Sequence, residues 1–204
     1  VKLHWSPRSP YVRKVMVCAH ECGIADRIDC VRTVVAMNKP NIDLLRSNPL
    51  GKIPTLVLDD GSVLYDSAVI CEYFDSLHSG QKLFPPSGSA RWTALRRHAL
   101  GNNLIDNLIL WRNELTRPDI QQSPEILAAF ALKVGNAVNA IESEIDDIAA
   151  TPPDIGQLAL ATALAYADFR FPDLGWREGR DGTAVWFDRF SQRPSMQHTR
   201  HVDA

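Results

Sequence analysis

Three short stretches hold residues whose types and spacing suit work on a small, charged, peptide-like ligand. In the first, Ser9 and Pro10 precede an apolar-periodic run through Val12, Val15, Met16, Ala19 and Cys22. Serine before proline has the form of a helix N-cap followed by an N1 proline, which alone accounts for both residues. The same hydroxyl also lies where a helix dipole favours a negative atom such as a thiolate. In the second, Ile53 precedes Pro54. If that bond is cis, the Ile53 amide and carbonyl turn outward and pair with an extended ligand as an added strand does. In the third, Asp66 and Ser67 head a run of Ala68, Val69, Ile70, Tyr73 and Phe74. Open N–H groups and a positive dipole end attract a carboxylate there. The plainer role for Asp66 or Ser67 is capping.

The elements that must position these stretches follow from pattern. Pro49, Gly51 and Pro54 make the segment before Thr55 a tight turn. Thr55–Leu58 and Ser62–Tyr65 read as short strands joined by Asp59-Asp60-Gly61, where glycine takes positive φ without steric cost. Upstream, Lys2–Trp5 reads as a first strand, and the helix after Ser9 runs to about Cys22, with Gly23 as its stop. Asp29–Val35 reads as a second strand that alternates poorly, as expected of one buried on both faces. Ala36–Ser47, with Lys39-Pro40, is expected to form an irregular helix. The order β-α-β-(α)-β-β-α predicts a mixed sheet with helices on its faces.

A Pro/Gly/Ser-rich segment then marks a boundary, giving a first domain over 1–77, a linker over 78–89 and a second domain over 90–204. Beyond it no strand pattern occurs. Helices are predicted over Arg91–Leu115, Glu125–Ala150, Leu158–Phe169 and Thr183–Phe190. The third is apolar nearly all round and is expected to be central and buried. Asp154 to Gln157 before it fits a capping box.

The 204 residues carry a net charge of −2, so no basic field points to nucleic acid and no polybasic anchor to a membrane surface. The longest apolar run, Leu158–Ala167, is too short to span a bilayer. No signal-peptide pattern precedes Val1–Trp5, and the cytoplasm is the expected location. The 4 cysteines form no CxxC pair, and Cys18 and Cys22 share a helix face with His20 elsewhere. They read as small buried apolar residues, with no metal expected. His198 and His201 read as a solvated terminus.

This arrangement resembles the glutathione S-transferase superfamily across essentially the whole chain. The carriers are Ser9-Pro10-Tyr11-Val12-Arg13, Asn48-Pro49-Leu50-Gly51-Lys52-Ile53-Pro54, Asp66-Ser67-Ala68-Val69-Ile70 and the capped buried helix. Ala165 to Leu174 and Arg193-Pro194-Ser195 look like the bacterial YibF-like branch. The resemblance implies an α/β thioredoxin-like N-terminal domain plus an all-α C-terminal domain, with glutathione as co-substrate and a cis Pro54 peptide. Ile53 would pair with the cysteinyl part of glutathione. Ser67 would hold the α-carboxylate and Asp66 the ammonium. Lys52, and less directly Lys39, would meet the glycyl carboxylate. A second-substrate site would lie between the domains, along the long helix at His98, Asn102, Asn103 and Trp111. A homodimer is implied as well.

Ser9 to Val12 overlies the Cys-Pro-Tyr-Cys of glutaredoxin-like relatives with both cysteines replaced. Dithiol exchange is therefore ruled out at this site. A serine hydroxyl donates to the glutathione sulfur and favours its thiolate, for attack on a small hydrophobic electrophile or a peroxide. Ser6 is the rival hydroxyl. Two further readings stand beside the transferase: a glutathione-dependent isomerase, peroxidase or lyase, and a non-catalytic binding module like the stringent-starvation-type proteins that bind RNA polymerase.

Overall fold

A computed structural model describes residues 1–203. The first strand, β1 (Lys2–Trp5), lies inside a four-stranded sheet. Beside it run β2 (Asp29–Arg32), parallel, and β3 (Thr55–Val57), antiparallel, while β4 (Val63–Leu64) pairs antiparallel with β3. The β3–β4 turn is closed by the Leu58 N–H to the Ser62 carbonyl at 2.8 Å. Gly61 has a φ of 84°, and the Asp60 carboxylate accepts from both the Ser62 amide and its hydroxyl.

The sequence pattern predicts a second strand buried on both faces, and here the structure differs. β2 is an edge strand bonded only to β1, it stops at Arg32, and Asp29, Cys30 and Arg32 are exposed. Its poor alternation reflects an edge rather than a centre. Cys30 is exposed with it, whereas Cys18, Cys22 and Cys71 are buried.

On the sheet, α1 (Pro10–Glu21) buries Val12, Val15, Cys18 and Ala19 completely, as their spacing requires. A single turn, α2 (Ile42–Leu45), is capped by the Asn41 side chain. It precedes the Asn48 turn, whose buried asparagine donates to the Lys52 carbonyl at 3.1 Å and to Thr55 Oγ1 at 3.0 Å. α3 (Ser67–Ser76) packs against α1, with Cys18 Sγ 3.6 Å from the Cys71 carbonyl.

The remaining helices form a second compact unit, Pro85–Arg193. Its frame is α4 (Gly88–Leu115), α5 (Pro124–Ser143), α6 (Ile145–Ala150), α7 (Ile155–Arg170) and α8 (Asp181–Ser191). Residues Ile155–Ala167 of α7 are buried without interruption. At its head the Asp154 carboxylate accepts the Gln157 N–H at 2.8 Å, one half of the expected capping box, while the Gln157 side chain donates to Thr151 and to the Pro152 carbonyl instead of returning to Asp154. α4 approaches so closely that a Cβ on Gly101 would stand 2.6 Å from the Ala159 carbonyl carbon. The predicted helix over 125–150 is two helices. It breaks at Glu144, whose carboxylate binds both terminal nitrogens of Arg96 at 2.7 Å and Arg97 Nε at 3.1 Å.

The first unit comprises Val1–Phe84 and, in addition, Pro194 onward. The short helix α9 (Pro194–His198) packs on α1, where Met196 offers its carbonyl to Arg13 Nη2 at 3.3 Å and the Ser195 hydroxyl meets Glu21. The helical half therefore ends at Arg193 rather than running through the tail. Among the described residues no helix is long and apolar enough to cross a membrane.

Candidate functional site

Strand directions decide which loops meet. The register His4↔Thr55 sets the start of β3 beside the end of β1, so Ile53-Pro54 lies at the same sheet end as Ser6 to Ser9. β4 is antiparallel to β3 and therefore also finishes there, delivering Asp66 and Ser67. β2 is parallel to β1 and finishes there too, with the Thr33 N–H on the Trp5 carbonyl at 2.8 Å. The segment with Lys39 follows. Topology thus brings Ser9, Lys39, Lys52, Ile53, Asp66 and Ser67 to the carboxyl end of β1, where open α/β sheets bind ligands.

Each of these residues is held differently. Ser9 caps α1: its Oγ accepts the Val12 N–H at 3.3 Å, and its own amide donates to Ser6 O at 3.2 Å. Val12 and Ile53 are packed together with Leu44, Trp5 and Met16, which fixes the Ile53 segment against the first turns of α1. The Ile53–Pro54 peptide is cis, and so is Tyr65–Asp66. Among the described residues the Ile53 N–H and carbonyl have no hydrogen-bond partner, although the side chain is only 7% exposed. Asp66 caps α3 with Oδ1 on the Ala68 N–H at 3.0 Å. Ser67 is 2% exposed, and its hydroxyl likewise makes no hydrogen bond among the described residues. Lys39 and Lys52 are exposed. The Lys52 carbonyl, taken by Asn48 and by Thr55 Oγ1 at 2.7 Å, is structural.

Along α4 the four expected second-substrate residues do not share one face, because successive residues turn by about 100°. His98 is buried, with Nε2 3.3 Å from Asn102 Nδ2. Asn103 donates to the Ala99 carbonyl at 2.8 Å and lines a shallow groove with Asn107 and Lys133. The Trp111 ring lies 5.0 Å from that of Phe171. A larger cavity of about 580 Å³, between α6 and α8, is lined by Trp186, Arg189 and Arg193 and by none of the predicted site residues.

Cys22, Asp75 and His78 place possible ligand atoms within 4.8 Å of one another. Yet the Asp75 carboxylate accepts the Leu83 and Phe84 N–H groups at 2.8 and 3.1 Å. His78 Nδ1 accepts the Gly80 N–H at 3.1 Å, so Nε2 carries the ring proton and donates to Asp75. That arrangement leaves no ring lone pair for an ion, and Asp75 and His78 tie off the end of α3.

Sequence reasoning missed the tail. His201 is not a solvated residue: its Nδ1 lies 3.1 Å from the Pro7 carbonyl, beside the Ser9 turn. His198 is exposed, but its ring stands 5.4 Å from His20 on α1. No periodicity in so short a segment signals this return.

Comparison with known proteins gives the family of the fold. Residues 8–77 match the family model for the glutathione S-transferase N-terminal domain, and residues 124–189 match that for the C-terminal domain. A glutathione transferase family member from Pseudomonas fluorescens Pf-5, solved with bound glutathione, is 42% identical. It covers 98% of each chain with a TM-score of 0.95. A structure of a member from the same organism, 41% identical over 99% of this chain and all of that one, holds S-(propanoic acid)-glutathione, with a TM-score of 0.91. The uncharacterized GST-like protein YibF of Escherichia coli K12 is 26% identical over 98% of both chains. The chain belongs to the glutathione S-transferase family, with the mixed sheet as its N-terminal domain and the helices as its C-terminal domain.

Proposed function

We propose that this chain binds glutathione at the carboxyl end of β1 and activates its thiol for attack on a small, apolar electrophile. The observation that carries the reading is the open bonding capacity gathered there: the Ile53 backbone, the Ser67 hydroxyl and the Ser9 O–H. Ser67 and the head of α3 take the γ-glutamyl α-carboxylate. The Asp66 oxygen not bonded to Ala68 takes the ammonium. Ile53 pairs with the cysteinyl backbone as a strand would. Lys52, with Lys39 as the second cation, faces the glycyl carboxylate. A cysteinyl group held by Ile53 brings its sulfur towards Ser9.

Ser9 Oγ already accepts from Val12, so its proton remains to donate to sulfur, and the bond it accepts polarises the one it gives. The thiol proton leaves to solvent, and the thiolate lone pair forms the C–S bond. The electrophile then loses its leaving group or, if it is an activated alkene, takes a proton from water. A relative holding S-(propanoic acid)-glutathione supports this, because a thioether is the product of such an attack. The electrophile is assigned to α4, with His98 and Asn102 on one face and Trp111 on the opposite face as the alternative; Asn103 is the weakest member since its amide is bonded to its own helix. A homodimer belongs to the same reading.

Calorimetric titration of glutathione into wild type and Ser9→Ala, with ultraviolet absorbance of the bound thiolate, tests the proposal. Binding is expected in both, with a thiolate signal only in the wild type and turnover lower in Ser9→Ala by roughly 10²–10³, as for loss of one donor to a developing anion. An unchanged signal in Ser9→Ala moves the role to Ser6. No binding at millimolar glutathione overturns the reading and directs the search to protein partners.

A further inference from the structure

The turn that presents Ser9 is Ser6-Pro7-Arg8-Ser9, closed by the Ser9 N–H on the Ser6 carbonyl. Its central peptide unit consists of the Pro7 carbonyl and the Arg8 N–H. The orientation of that plane is the soft coordinate of a β-turn, because the two common types share their ends and differ in it. Arg8 keeps a negative φ, so the plane lies in the sense a non-glycine residue tolerates.

Both ends of the plane are held. The Arg8 N–H donates to Ser6 Oγ at 3.4 Å, a long bond on an exposed turn. The Pro7 carbonyl receives His201 Nδ1 at 3.1 Å and the Val202 N–H at 3.4 Å. A carbonyl only accepts, so His201 carries a proton on Nδ1 and donates it. The Asp203 carboxylate then meets Arg8 Nε at 3.0 Å. Three consecutive tail residues thus grip residues 7 and 8, and α9 anchors the tail to α1 through Arg13, which is only 9% exposed. Asp203 and Arg8 are exposed, and solvent screens their pair. The half-buried His201 bond is the firmer hold.

We infer that His201–Asp203 form a strap that fixes the Pro7–Arg8 peptide plane, making His201 a positioning residue for the Ser9 hydroxyl. The inference rests on the reading that Ser9 meets the glutathione sulfur. Sulfur activation depends on where the hydroxyl points, and a tilt of the preceding plane carries Ser9 and Ser6 with it.

The test compares the full-length chain with His201→Ala and His201→Asn, since an asparagine amide offers a donor near the place of Nδ1. In His201→Ala the bound glutathione thiol is expected to ionise at higher pH, turnover to fall on the order of tenfold with KM little changed, and the Ser9 amide to exchange faster. His201→Asn is expected to restore all three. Wild-type ionisation and exchange in His201→Ala overturn the strap, and so does an asparagine variant as impaired as the alanine one. If wild type binds glutathione with no thiolate signal, the Ser9 reading fails, and exchange at Arg8 and Ser9 still decides the strap. Should His201→Ala not fold, His201→Phe, which keeps a ring and removes the donor, gives the same exchange readout, expected to be faster at Ser9, and wild-type exchange there overturns the strap.

Discussion

Ser67 separates binding from folding more cleanly than any other residue of the site. Its side chain is 2% exposed, yet its hydroxyl bonds to nothing among the described residues, so the native fold gains little from it. A hydrogen bond to a charged group contributes about 1.5–3 kcal/mol. Ser67→Ala is therefore expected to weaken glutathione roughly 10- to 100-fold in a titration while the urea midpoint stays nearly unchanged. Asn48 is the opposite case. It is buried and fully used in shaping the turn before Ile53, and its loss is a loss of the turn. Both lie in motifs that the sequence displays, but only coordinates reveal which has bonding capacity to spare.

At the scale of elements, the Glu144 break shows what pattern cannot reach. The apolar spacing from Ile126 to Ile148 continues across it, because α6 carries on the buried stripe after one non-helical residue. What interrupts the helix is a polar contact with Arg96 and Arg97, far away in sequence. The bond from Arg96 first, and that from Arg97 next, hold the Glu144 carboxyl below its ordinary value of 4.5. A depressed carboxyl contributes stability that is fully present above its unfolded value and lost as pH falls through the folded one. Glu144→Gln is expected to cost about 1 kcal/mol at pH 7, a modest figure because Arg96 is half exposed. Urea unfolding at pH 7 and pH 3.5 checks this: the advantage of wild type over the variant is smaller at the lower pH.

Other elements divide along the same line. α1, α3 and α7 were legible because each has a local cap and a one-sided or fully apolar run. β2 reads as buried on both faces because an edge strand and a doubly buried one both lack clean alternation. α9 was invisible because five residues carry no period, and its contacts, with Arg13 and Glu21, lie at the other end of the chain.

For the whole molecule, ligand and fold are linked. If glutathione binds only the native state, a concentration of 100 times Kd stabilises it by about 2.7 kcal/mol. A scan of melting temperature against glutathione is then expected to rise by roughly 5–10 °C for a chain of this size, and by only about 1–5 °C in Ser67→Ala, whose affinity is lower. A rise undiminished in Ser67→Ala would place the ligand elsewhere.

Because Pro194 onward belongs to the first unit, the order of synthesis is not the order of completion. When the ribosome has made Phe84, every strand of the sheet exists, yet the flank of α1 that holds Arg13 has no cover. About 110 further residues, the whole helical unit, must be translated first, a delay of about 5–20 s at about 5–20 residues per second. The sheet waits, unfinished on one side, for a segment made after its neighbour has had time to fold. A chaperone that recognises nascent chains would meet this protein with its N-terminal sheet unit exposed along α1, and release would follow when the tail emerges and docks.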